Sequence, residues 1–150
     1  MTSKQLLWIV IGLIAAGFTG AAYMEKRRRE KYQTVAINTE RELGLPPGLL
    51  IAMAQTESNW DPKAVSPAGA IGIMQIIPKW HPGVDPWNPV TSIQYAGKYI
   101  KNLYQKYGNY TLALAAYNWG PTNLDRRGWI NAPKETRDYV QKITGLTGIA

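Results

Sequence analysis

Gly48-Leu49-Leu50-Ile51-Ala52-Met53-Ala54-Gln55-Thr56-Glu57-Ser58 is an apolar run that ends on a carboxylate. Pro46-Pro47 opens it, and the spacing predicts a helix through Gln55 to about Ser58. A carboxylate at the end of an apolar helix sits where ionisation is disfavoured. Desolvation raises its pKa, and a raised pKa makes a general acid available near neutral pH. Leu49, Leu50 and Met53 are positioned to supply the apolar wall. An isolated glutamate at a helix end is ordinarily a surface charge, so the reading of Glu57 depends on what surrounds it.

The pattern around this run is helical. Thr34 to Leu43 predicts a helix stopped by Gly44. Asn59 to Ala70 reads as loop, and Ile71 to Ile77 as a short apolar stretch ended by Pro78. Residues 78–90 are dense in Pro, Gly and Trp and read as a loop over the core. From Thr91 to Lys106, Ile93, Ala96, Ile100, Leu103 and Tyr107 recur at three- and four-residue steps, an amphipathic helix ended by Gly108. Thr111–Asn118 is a small apolar helix terminated at Gly120-Pro121, and Pro133–Ile143 is the last. No alternating strand run of useful length occurs. The expectation is a compact all-α domain, with any sheet limited to a hairpin within residues 59–75.

Composition narrows the chemistry. The chain has 150 residues, enough for one core, and no Cys, which excludes disulfides and thiolate metal sites. One histidine, His81, cannot build a His-rich metal site and reads as an exposed loop residue. No metal or cofactor is expected. The six Trp and nine Tyr serve as core, groove wall or stacking faces for sugar rings. The net charge is +7, but residues 1–31 hold six basic and only two acidic groups, so most of the excess lies outside the main domain. That leaves a nucleic-acid reading thin. A mildly basic domain suits an acidic polymer.

Three further segments follow Glu57-Ser58 in order: Ser66-Pro67-Ala68-Gly69-Ala70-Ile71-Gly72-Ile73-Met74-Gln75-Ile76-Ile77-Pro78, Ala116-Tyr117-Asn118-Trp119-Gly120, and Glu135-Thr136-Arg137-Asp138-Tyr139-Val140. Together, over roughly residues 35–145, they resemble the lytic transglycosylases of the soluble, goose-lysozyme-like type, which cleave the sugar backbone of peptidoglycan. The resemblance implies a lysozyme-like fold and a single catalytic carboxylate. In this family one Glu protonates the leaving sugar oxygen, then acts as base toward the C6 hydroxyl of N-acetylmuramic acid, which closes a 1,6-anhydro ring without consuming water. Carried over residue by residue, Glu57 is the catalytic group. Ser58, Ser66, Gly72, Met74, Gln75, Tyr117, Asn118 and Tyr139 are the substrate-binding candidates. Ser58 either orients Glu57 or bonds its own helix backbone. Gly69 and Gly72 let backbone approach sugar, Gln75 offers donor and acceptor to an acetamido group, and Asn118 braces the groove. Ile73 stands where the family has Leu. Glu135 is expected to cap or to pair rather than to catalyse. Asp61, Asp85, Asp125 and Asp138 lie in loop or charged contexts. Thr122 to Ala132 is longer and more charged than a tight turn, so the groove wall there is not fixed by pattern.

Leu6 to Met24 is 19 residues without a charge, with Trp8 and Tyr23 near its two ends, and is followed by Glu25-Lys26-Arg27-Arg28-Arg29-Glu30-Lys31. As one helix it measures about 28 Å, close to the roughly 30 Å of bilayer hydrocarbon. The expectation is a single N-terminal transmembrane anchor over residues 6–24 with a basic cluster (residues 1–31), preceding a catalytic domain (residues 32–150). The rival is a cleaved signal peptide at Gly20-Ala21-Ala22. Gly12, Ala16 and Gly20 have the small-residue spacing of packed membrane helices. The positive-inside rule retains the basic cluster in the cytoplasm, whereas the inferred substrate lies outside; a virion-carried phage protein resolves that conflict. Competing readings are a water-using lysozyme-type hydrolase, a structural membrane protein with a wall-binding module, and a DNA-binding protein resting on charge alone. Nothing in the sequence fixes the oligomeric state.

Overall fold

A computed structural model describes residues 2–15, 17 and 19–149. The chain divides into two compact units, Met1–Thr34 and Val35–Ala150. Among the described residues seven α-helices run in order: α1 (Ser3–Ala15), α2 (Gly20–Leu43), α3 (Leu49–Ser58), α4 (Pro89–Tyr107), α5 (Tyr110–Trp119), α6 (Pro121–Arg127) and α7 (Lys134–Thr147), with one 3-10 turn over Trp129–Asn131.

The continuous membrane helix expected over residues 6–24 does not form. Among the described residues no helix is long and apolar enough to cross a membrane. The chain breaks instead: Gly17 takes a left-handed φ of 80°, and the Thr19 hydroxyl accepts a hydrogen bond from the Ala22 amide at 3.2 Å, an N-cap that restarts the helix as α2. The 13 residues of α1 rise only about 20 Å. Ala16, the centre of the small-residue pattern, lies outside the described residues. Downstream, α2 runs unbroken through Glu25–Lys31 into the helix expected from Thr34, because Glu, Lys and Arg are strong helix formers.

In the second unit the helix starts follow local chemistry. Asn88 Oδ1 accepts from the amides of Val90 and Thr91, both at 3.1 Å, with Pro89 in the first turn of α4. Asn109 caps α5 through the Leu112 amide at 2.8 Å. α3 has no side-chain cap of its own. The buried Glu40 of α2 supplies one from a distance, accepting from Gly48 N at 2.9 Å and Leu50 N at 2.7 Å.

The core is built around α3 and α5. Leu49, Leu50, Met53, Ile73, Met74, Ile93, Ile100, Leu114 and Ile143 are fully buried. α5 packs on α4, α6 and α7, and α3 packs on α7 and α4. The buried run Ala113-Leu114-Ala115-Ala116 keeps the α5 surface small enough for three neighbours. The expected hairpin reduces to two isolated antiparallel bridges, Val65 with Ile71 and Ile71 with Ile76. Among the described residues there is no strand. The stretch Thr122 to Ala132, which pattern alone left open, holds most of α6 and the whole 3-10 turn.

Candidate active site

Glu57 occupies the last turn of α3, and the chain turns sharply just beyond it. Asn59 and Trp60 both take left-handed backbone angles, φ 52° and 68°. For a bulky residue such as Trp60 this conformation is disfavoured, by about 1–2 kcal/mol. Burial holds it: Trp60 is 3% exposed, and its indole NH donates to Gln55 Oε1 at 3.1 Å. Gln75 (φ 49°) is the third non-glycine residue in this conformation among those described. All three flank the Glu57–Gln75 region, where a strained backbone is concentrated.

The loop after α3 is pinned under the helix end. Ser58 does neither of the two things expected of it. Its hydroxyl donates to the Ile73 carbonyl at 2.9 Å, tying the helix terminus to the Gly-Ile-Met-Gln segment. Gly72 cannot be replaced without displacing backbone: a Cβ there would lie 2.1 Å from the Pro86 carbonyl oxygen, and its φ is 76°. Met74, expected as a groove contact, is instead a core side chain with no exposure, and its carbonyl accepts the Tyr117 hydroxyl at 3.0 Å. Gln75 uses its amide NH2 inside the loop, donating to the Gly72 carbonyl at 3.0 Å and the Ala64 carbonyl at 3.4 Å. Ser66 is spent on its own turn, its hydroxyl accepting from Ala70 N at 3.0 Å. The sequence motif therefore reads largely as the framework that shapes the loop.

Two tyrosines from other helices meet the carboxyl. Tyr117 of α5 and Tyr139 of α7 both interact electrostatically with Glu57, and burial together with that charge holds both phenols well above the usual tyrosine range. Tyr139 is 7% exposed, and its hydroxyl makes no well-formed hydrogen bond among the described residues. Glu57 is the acceptor close enough to couple to it. Burial pushes the Glu57 carboxyl up to about 7 from the 4.5 of a free glutamate. The Tyr139 hydroxyl opposes this, and the charge of Glu135 adds to it. Asn118 accepts from the Thr136 hydroxyl at 2.8 Å and braces α5 against α7.

The four aspartates are occupied elsewhere. Asp61 Oδ1 accepts from Lys63 N at 2.9 Å, and Asp85 Oδ1 from Trp87 N at 3.0 Å. Asp125 pairs with Lys106 and Asp138 with Lys134. Among the described residues no three His, Cys, Asp or Glu side chains gather as metal ligands would. Two features escaped the sequence reading. Glu135, exposed in the first turn of α7, acts electrostatically on Glu57. His81 is not a bare loop residue: its Nδ1 lies 2.7 Å from the Tyr95 hydroxyl, and an aromatic row runs from His81 through Tyr99 (4.9 Å between centroids) to Tyr117 (5.7 Å). The four-residue spacing of Tyr95 and Tyr99 on α4 was the available signal for it.

A carboxyl whose burial keeps its proton near neutral pH, coupled to two phenols at a strained helix end, has the chemistry that proton donation requires. A family model for the transglycosylase SLT domain matches residues 34–140. The chain belongs to the transglycosylase SLT domain family. A soluble lytic murein transglycosylase of Salmonella typhimurium is 31% identical over 148 residues, covering 81% of this chain and 23% of that protein. The crystal structure of the 70 kDa soluble lytic transglycosylase from Escherichia coli superposes with a TM-score of 0.64 at 31% identity, over 75% of this chain and 22% of that one. A transglycosylase of Enterobacteria phage PRD1 is 29% identical over 105 residues, 68% of this chain and 37% of that protein. The chain thus spans about a quarter of the length of the first of these relatives. The SLT domain accounts for the mainly helical, lysozyme-like architecture.

Proposed function

We propose that the chain is a peptidoglycan lytic transglycosylase. Residues 32–150 form its catalytic domain and cleave the β-1,4 bond between N-acetylmuramic acid and N-acetylglucosamine. Glu57 protonates the glycosidic oxygen as the C1–O bond breaks. The muramic N-acetyl group stabilises the cation-like C1. The ionised Glu57 then takes the proton of the C6 hydroxyl as that oxygen bonds to C1, closing the 1,6-anhydro ring and restoring the acid. Proton and bonds balance with no water consumed. The observation that carries this reading is the raised Glu57 carboxyl, about 7, which suits one group acting first as acid and then as base. Tyr139 and Tyr117 steady it, and the Gly72–Gln75 loop, with Ser58 and Ser66 as its pins and Asn118 behind, shapes the sugar groove.

The test is a digest of purified sacculi by the full chain and by Glu57→Gln, with the muropeptides weighed. Anhydro-muramic ends from wild type alone are expected. Reducing ends would transfer the chain to a hydrolase mechanism. Glu135 is the observation that favours that second reading, because water-using enzymes employ a second carboxylate.

Residues 6–24 are proposed as the membrane attachment. They carry no charge, and a basic cluster adjoins them. The likeness to a phage transglycosylase supports a role in local wall opening from a virion. Flotation with vesicles of the full chain and of a chain lacking residues 1–31 tests the attachment.

A further inference from the structure

The helix that carries the basic cluster sorts its charges. On α2, Met24, Arg27, Arg28 and Lys31 stand at i, i+3, i+4 and i+7, one face of an α-helix. That face carries three cations. The opposite face holds Glu25, Lys26, Arg29 and Glu30, two acids against two bases. Arg27, Arg28 and Lys31 are all exposed, and with Met24, Tyr32, Thr34 and one acid from the border of the two faces, Glu30, they line a shallow open concavity of three cations against one carboxylate. Just upstream, α1 exposes Leu6, Leu7, Trp8 and Ile11, with Trp8 at 73% exposure. At about 20 Å, α1 is too short to cross a bilayer, yet it is apolar enough to lie in one leaflet's interface, where tryptophan is favoured.

We infer that Met1–Thr34 is an interfacial membrane device that reads anionic phospholipid: α1 inserts shallowly, and the Arg27–Arg28–Lys31 face of α2 binds phosphate headgroups. The two signals belong together. A short apolar helix alone gives weak, reversible binding, and a basic face near a negative surface supplies the remainder. Charge complementarity selects the occupant, because a zwitterionic headgroup offers its phosphate with no net negative charge, whereas an anionic one draws all three cations to the surface. This deepens the membrane attachment proposed above and is independent of the glycosidic chemistry. Loss of anhydro products with vesicle binding intact would remove that proposal and leave this one standing.

The experiment is co-sedimentation of the full chain with vesicles of phosphatidylcholine alone or of phosphatidylcholine with phosphatidylglycerol, across a salt series. Two double variants remove the same charge from opposite faces: Arg27→Gln/Arg28→Gln and Lys26→Gln/Arg29→Gln. Circular dichroism and sacculus digestion establish that each is folded. Wild type is expected to prefer phosphatidylglycerol vesicles and to lose affinity as salt rises. The Arg27/Arg28 variant is expected to lose on the order of tenfold or more in affinity, and the Lys26/Arg29 variant less than about threefold. Trp8→Ala is expected to weaken binding to both vesicle types. Equal binding to neutral and anionic vesicles overturns the inference, as does equal loss in the two double variants or no binding to either vesicle. Duplex DNA binding as tight as anionic vesicles, with Trp8→Ala without effect, would make the face a general polyanion site and also end it.

Discussion

Replacing Glu57 with glutamine is expected to kill activity and to stabilise the fold, but only above the pH at which a free carboxyl ionises. The carboxyl titrates near 7 in the folded chain, against 4.5 when free. Below about pH 4, folded and unfolded chains both hold the proton and the group contributes no pH dependence. As pH rises from 4.5 toward 7, the unfolded chain sheds its proton first, so wild type loses stability steadily. Above 7 both states are ionised and the penalty is constant. At 1.36 kcal/mol per unit the shift amounts to about 3 kcal/mol, an upper figure because the side chain keeps some solvent contact. Glutamine keeps the shape and an oxygen for the Tyr139 hydroxyl but never ionises. Urea denaturation of the full chains, followed by tryptophan fluorescence, is expected to give matching stabilities near pH 4 and an advantage of up to about 3 kcal/mol for Glu57→Gln near pH 8. Sacculus digestion by the same variant falls by at least about 10²-fold. A stability gap that stays flat between those pH values would falsify the premise that burial holds this proton, and with it the physical basis for Glu57 as the acid.

Other substitutions probe the support of the site. Gly72→Ala drives a Cβ to 2.1 Å from the Pro86 carbonyl oxygen and is expected to cost about 3 kcal/mol or more, whereas Gly69→Ala, equally left-handed but in open space, costs about 1; urea midpoints that rank them the other way would refute the packing argument. Tyr139→Phe removes the hydroxyl that pulls the Glu57 pKa down, so the alkaline limb of the activity profile moves to higher pH while stability changes little; an unmoved limb in a pH–rate measurement counts against the coupling. Glu40→Gln cannot match both amide bonds with full charge, and a loss of about 1–3 kcal/mol in denaturant titration is expected; no loss would mean that α3 does not depend on this remote cap. Glu135→Gln lowers the Glu57 pKa, moving the alkaline limb down, opposite in sign to Tyr139→Phe.

Local chemistry made much of this chain legible as a string of residues. Helix periods gave α3, α4, α5 and α7 to within a few residues, since Asn88, Asn109, Gly108 and Pro133 act through bonds to their immediate neighbours. The apolar run before Glu57 already implied a proton held against water, because desolvation follows from what surrounds a carboxyl and the run supplied that surrounding. The membrane helix misread for a related reason: hydropathy counts charges over a window, whereas Gly17 and the Thr19 cap break the chain at points no average records. What folding alone decided are contacts between residues far apart in sequence. Glu40 caps a helix eight and ten residues on, and Ser58 bonds Ile73 fifteen residues away. Met74 turns into the core, and Tyr117, Tyr139 and Glu135 converge on one carboxyl from two other helices. Sequence order sets which groups are present and how each segment folds. Electrostatic coupling falls with distance in space, and only the packing of α3 and α5 against α7 fixes those distances.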